Sequence, residues 1–265
     1  MTRSAPRTGK KKRWPAWLLA AALLFAWGGA RLLGESRLAA AQHAAGFGTA
    51  AVGVQLREQL GQVGFLAALS GFRSLVADFV WIDAFSAWER VEYGRLNLLC
   101  NTATALQPRS VEFWDGSAWH MAWNASVDAR EDRRGQPREA LRQKAEREYV
   151  LLGKNYAVRG IANNPDARAL HERLALIAYE KLRDPCAASA AYARAAGCPR
   201  AFGYEKRFAA FRLAECPGHE REAYWLLRFY YDLSERERVP TLVRLLRELE
   251  EEIDLPVEQR VDKTR

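Results

Sequence analysis

Pro165 and Pro199 stand 34 residues apart, and the stretch inside them, ARALHERLALIAYEKLRDPCAASAAYARAAGCP from Ala167 to Pro199, reads as a helical hairpin. Its small and apolar residues recur at three- and four-residue intervals, which is the spacing of one face of a helix. A helix pair of this length cannot bury its apolar stripe alone. It has to stack on similar neighbours, so the hairpin predicts an all-α chain of stacked helix pairs.

Composition allows a core of that kind. With 265 residues and 49% hydrophobic content, the chain is long enough to bury a sizeable core in one short stack plus tails. The formal charge of +8 suggests nucleic acid at first sight, but Arg3, Arg7, Lys10, Lys11, Lys12 and Arg13 supply six of the 40 basic residues. Without those six, 34 basic residues face 32 acidic ones, and the two signs are interleaved as on solvated helix faces. No basic stripe suited to a phosphate backbone is present, so no nucleic-acid partner is expected.

The basic cluster, residues 1–13, is followed at once by WPAWLLAAALLFAWGGA, 17 uncharged residues from Trp14 to Ala30. That is enough to cross a bilayer of about 30 Å. Trp14, Trp17 and Trp27 flank the run as interfacial anchors, and the one-sided positive charge puts the N-terminus in the cytoplasm. We expect a transmembrane anchor over 14–33 with the body on the far side of the membrane, the periplasmic side of a bacterial envelope. A cleaved signal peptide is the competing reading, and it exports the body as well.

Residues 34–71 are rich in Ala and Gly and read as a helical stalk. From Phe72 the apolar residues become periodic, and a turn expected at Tyr93-Gly94 divides a first hairpin that ends at Gln107-Pro108. Next, Trp114 is followed by Ser117, Ala118 and Met121, with Trp119 and Trp123 on another face of the same helix. The charged segment VDAREDRRGQP, 127–137, reads as a loop, and a long helix then runs to Ile161. After the central hairpin come a helix from about Arg200 to Glu215, a Pro217-Gly218 turn, and an aromatic helix from His219 to about Leu233 whose Tyr224, Trp225, Phe229, Tyr230 and Tyr231 read as packing residues. Leu242, Leu245, Leu246, Leu249 and Ile253 mark one face of an amphipathic capping helix within 235–265.

Ala188, Tyr192, Ala195 and Pro199 fall at the offsets found on the second helix of tetratricopeptide repeats, Tyr179 fits the tyrosine of the first helix, and Trp114, Ser117 and Ala118 fit a first-helix signature. Residues 72–234 therefore resemble a tetratricopeptide-repeat solenoid, in a membrane-anchored bacterial form. Glu172, Ala175 and Leu176 stand where the family's first helix carries its tryptophan, leucine and glycine. The resemblance implies a scaffold for a protein or peptide partner. It also implies that the first helix of each pair lines the concave face, which makes Asp115, Trp119, Trp123, Arg173, Ile177 and Glu180 the candidate partner-binding residues.

Little in the sequence points to chemistry. His171-Glu172 and His219-Glu220 lack the second histidine four residues on that a zinc protease needs, because Ala175 and Ala223 occupy those positions. No catalytic residues, metal or cofactor are expected, and the chain is read as a non-enzyme. The alternatives are an exported hydrolase using Asp78 and Asp83 as paired acids, and a structural subunit that packs through its C-terminal helix. Cysteine spacing adds one constraint. Cys186 and Cys198 end the same helix about 18 Å apart, beyond disulfide reach, whereas antiparallel helices would bring Cys186 to Cys216. Four free thiols are the other possibility. The topology is checked by a reporter fused after Arg265: it should be active only outside the cytoplasm, and cytoplasmic activity there would overturn the anchor reading.

Overall fold

The computed structural model describes residues 71–131 and 138–261. All of them belong to one compact unit, Val52–Arg265. The anchor, the basic tail and nearly all of the stalk expected from the sequence lie outside the described residues. Among the described residues every regular element is helical, and no helix is long and apolar enough to cross a membrane.

The helices follow one another as packed antiparallel neighbours. α1 (Arg73–Glu89) pairs with α2 (Tyr93–Leu106). α3 (Val111–Trp119) runs through a widened π turn (His120–Ala125) into α4 (Ser126–Arg130), and all three lie on α5 (Glu139–Asn163). α6 (Arg168–Leu176) also ends in a π turn (Ile177–Lys181), and it packs on α7 (Pro185–Gly197). α8 (Tyr204–Ala214), α9 (Glu220–Leu233) and α10 (Pro240–Glu252) complete the series.

Two glycines set the distance between α3 and α5. A Cβ on Gly153 would come within 2.7 Å of the Ala118 carbonyl oxygen and of the Ala122 Cβ, and one on Gly160 within 2.7 Å of the Trp114 Cβ. The indole of Trp114 drops into the gap left by Gly160, donates through Nε1 to the Pro108 carbonyl at 2.9 Å, and lies under the guanidinium of Arg159. Met121, Tyr156, Leu170 and Ile177 close the main core around this seam. Cys100 is buried there, and burial pushes its thiol up to about 11, so it stays a neutral packing residue.

A second core lies at the C-terminal end, where Leu242, Leu245, Leu246 and Leu249 of α10 cover Phe211, Tyr224 and Leu227. The apolar face of α10 is therefore turned inward, and the outer face carries the Arg244–Glu248 ion pair. Between the two cores Tyr192, Ala191, Ala175 and Ala209 pack together, and the Ser189 hydroxyl donates to the Ala209 carbonyl. Arg168 bonds Glu172 and the fully buried Glu205, joining α6 to α8. Cys186, at the start of α7, is bonded to Cys216, just past the end of α8, with Cα atoms 4.9 Å apart and a sequence separation of 30. A closed loop of that length stabilises the fold by about 3–4 kcal/mol in the chain-entropy model.

Four expectations are corrected. The first turn lies at Arg90–Glu92 rather than at Tyr93-Gly94, because Tyr93 is buried in α2 and donates its hydroxyl to Asp128. The expected loop begins later than Val127, since α4 keeps Asp128 in the helix to meet that tyrosine. Two of the five aromatics of α9 stay outside the core, Trp225 and Phe229 being 58% and 59% exposed. Asp78 and Asp83 do not form an acid pair either: Arg95 holds Asp83 through two 2.9 Å bonds, and Asp78 is exposed.

The glycine seam is testable by stability. Gly153→Ala places a methyl against backbone that cannot yield, so the α3–α5 contact has to open, at a cost of about 1–3 kcal/mol. Gly94→Ala, on α2 with nothing within 4 Å of the new Cβ, should be neutral or stabilising. Equal effects in chemical denaturation would remove the seam from this account.

Candidate functional site

The candidate residues gather where the two π turns meet. A π turn inserts one extra residue per turn and shifts the helical face, and such turns recur at functional sites. Here the widened turn of α3 carries Trp123, and that of α6 carries Glu180 and Lys181. Trp119 and Trp123 are four residues apart and stack with ring centroids 4.7 Å apart and planes 15° from parallel. The Trp123 Nε1–H donates to Glu180 at 3.3 Å, and the Lys181 ammonium lies 5.4 Å from the same ring.

Arg173 fixes the stack from the side of α6. Its Nε and one terminal nitrogen donate to the two oxygens of Asp115 at 2.7 and 2.8 Å, a bidentate charge-assisted pair. The guanidinium also lies 4.9 Å from the Trp119 centroid and 5.5 Å from that of Trp123. Asp115 and Arg173 are thus engaged with each other and serve as supports for the indoles. Ile177 is a correction to the candidate set: it is 0% exposed and joins Leu170 and Leu174 in the main core. Seven residues separate it from Leu170 and only four from Arg173, which turns it nearer the core stripe than a groove face.

The exposed side of the Trp pair borders an open cleft of about 500 Å³ lined by Trp88, Glu89, Val91, Tyr93, Trp119, Trp123, Asn124, Val127 and Asp128. Trp88 and Val91, from the end of the first helix and its turn, were not legible as site residues, because the turn that brings them here was expected three residues later. Val91 has φ of +60°. A β-branched side chain in the left-handed region is strained by about 1–2 kcal/mol, and such strain concentrates at binding and switch sites. Against Trp88, one of the lining residues, packs His120, 93% buried and also in contact with Phe85, with Asn124 Nδ2 2.9 Å from its Nδ1. In this arrangement the amide donates to a neutral ring.

The cleft offers rings, the buried Asp128 carboxylate already bonded to Tyr93, the exposed Glu89 carboxylate, and no group of three or more His, Cys, Asp or Glu able to hold a metal among the described residues. Chemically it is a surface for apolar contact and for hydrogen bonds to indole N–H groups. No protein-family model matches this chain, and no curated protein or solved structure matches it.

Burial holds the His120 pKa below its ordinary value. The unfolded chain therefore takes up the proton first as pH falls through about 6.5, so this histidine's contribution to stability is present above that pH and is lost below it. Denaturation midpoints measured between pH 7 and 5 should fall in the wild type and fall less in His120→Gln. An unchanged slope in the variant would contradict a neutral buried ring.

Proposed function

We propose that this chain is a membrane-anchored helical-repeat scaffold of the tetratricopeptide type, exported from the cytoplasm and holding a protein or peptide partner on the face that carries Trp119 and Trp123. One observation carries the reading: a stacked Trp pair stands at an open cleft, with Trp119 still 40% exposed while its neighbours are tied in place by an ion pair. Exposed indoles of this kind are costly on a surface with no role, and Trp is enriched among residues that dominate binding energy. The Asp115–Arg173 pair holds the indoles in one orientation, so binding need not order them, which lowers the entropy lost on association.

The helix-pair order supports the same reading. Successive hairpins pack side by side, and each of the two π turns lies on the first helix of its pair, the helix that lines the inner face of a repeat stack. The indoles, together with Glu180, are then the contact residues, and Asp115 with Arg173 is their support. The Trp14–Ala30 segment is the membrane anchor in this proposal.

The test is a photo-crosslinking residue at Val127, which is exposed on the cleft wall. In native membranes the full chain should yield a defined adduct. Trp119→Ala should reduce it about 30-fold, the equivalent of about 2 kcal/mol, with little change in melting temperature. If Trp119→Ala unfolds the protein, or leaves the adduct intact, this face is not the binding surface.

A further inference from the structure

The apolar surface does not stop at the Trp pair. From Phe72, the N-cap of α1, through Leu75 and Phe79 to Ile82, apolar residues follow one another at three- and four-residue spacing, and each is at least half exposed. From Ile82 the row winds round the helix through Phe85 to Trp88. Phe85 meets Trp88 edge-on at 6.4 Å, and both rings rest on His120. Trp88 lines the cleft together with Trp119 and Trp123. The packing of α1 onto α2 uses its other side, where Ala77, Ala84 and Ala87 are buried. The result is a continuous apolar ramp that begins at Phe72 and ends in the Trp cleft.

Charge selects what lies on it. Asp78 and Glu89 are exposed along the border. The cations that flank the ramp are engaged elsewhere: Arg95 holds Asp83 and Glu92, Arg73 donates to the Ala105 carbonyl, and Arg173 holds Asp115. Arg90, the exposed C-cap residue next to Glu89, adds one cation, so the border carries two acids against one base. A second copy of the chain fits poorly. The 3-4-3 spacing is symmetric about residue 77, so an antiparallel copy would match Phe72 with Ile82 and Leu75 with Phe79, but it would also bring the two Asp78 carboxylates together near the two-fold axis. An anionic bilayer is repelled by the same acids, and helices that lie on membranes carry Lys and Arg on their polar face.

We infer that the ramp receives an amphipathic helix of a partner protein, its apolar stripe flanked by Lys or Arg, with one apolar side chain seated among Trp88, Trp119 and Trp123. The inference rests on the scaffold reading and narrows its partner. It is the helix-in-groove mode of recognition, in which side chains spaced like those of Phe72 to Ile82 interdigitate along one face. The six ramp side chains and Trp119, each exposing roughly 100 Å², amount to about 700 Å² on this side, close to the ~800 Å² per partner of a standard interface.

The probe is an 18-residue model helix with Leu at the core positions and Lys at the flanking ones, compared with the same peptide carrying Glu for Lys. Each is titrated by fluorescence anisotropy against the full chain in phosphatidylcholine nanodiscs, with empty discs as the blank. The Lys peptide should bind at least 10-fold more tightly than the Glu peptide. Phe79→Ser with Ile82→Ser should weaken it at least 10-fold without lowering the melting temperature, since both side chains are more than 60% exposed. Asp78→Asn with Glu89→Gln should abolish the preference for Lys. Binding of the Lys peptide that is indifferent to the Phe79/Ile82 change overturns the ramp. If Trp119→Ala nevertheless weakens that binding, the scaffold reading survives alone; if it does not, both readings fall. Self-association lost on Phe79→Ser assigns the face to a second copy, and binding of phosphatidylglycerol vesicles lost on the same change assigns it to a bilayer; either result overturns the inference.

Discussion

The approach of α3 to α5 is the contact on which the rest of the structure depends. With Gly153 and Gly160 one helical repeat of seven residues apart, α5 presents a flat strip on which Ala118, Ala122 and Trp114 can lie directly against backbone. Dispersion and apolar burial both rise steeply as two helices close up, so a seam of this kind fixes an interhelical distance more sharply than one built from flexible side chains. That distance places Trp114 under Arg159, lets the Tyr156 hydroxyl donate 2.7 Å to the side-chain oxygen of Asn97 on α2, and positions α6 so that Leu170 and Ile177 complete the core. The orientation of α3 at the seam in turn decides which of its residues are left over, and those are the indoles at the cleft.

The cleft illustrates how charge can act on an apolar surface without being its ligand. Asp115 and Arg173 neutralise each other, so the guanidinium contributes little net field, yet its plane lies against two indoles and restricts their rotation. Lys181 approaches Trp123 from α6 as well, and burial lowers its pKa. The aromatic pair is thereby held by groups that reach it from a neighbouring helix pair. A displacement of α6 relative to α3 would loosen the stack before it disturbed either core.

Much of the helical framework was legible from period and punctuation. Pro165 and Pro199 bracket the α6–α7 hairpin, the Leu stripe of α10 is buried as its spacing requires, and Ala188, Tyr192 and Ala195 all face inward. What the sequence hid is local geometry that defeats a constant 3.6 period. No residue type announces a π turn, and the two of them carry Trp123 and Glu180; Ile177, in ordinary helical conformation directly after α6, was misjudged on the regular period, since its seven-residue spacing to Leu170 already sets it on the core side. The first turn was misplaced because glycine at position 94 is a familiar turn residue, whereas the residue in the left-handed conformation is Val91, the kind least suited to it. The exposure of Trp225 and Phe229 was equally hidden, since an aromatic stripe at helical spacing looks the same whether or not a neighbour covers it.

The Cys186–Cys216 bond has a mechanical side. Tension applied to the chain from its two ends passes through the sulfur bridge, so the residues between the two cysteines carry none of the load. At about 3.5 Å per residue that shielded loop is roughly 100 Å of contour length, withheld from extension as long as the bond is oxidised. A molecule pulled at both ends would give up α1 to α6 or α9 and α10 while α7 and α8 stayed slack, and reducing the bond would lengthen the fully extended chain by that amount.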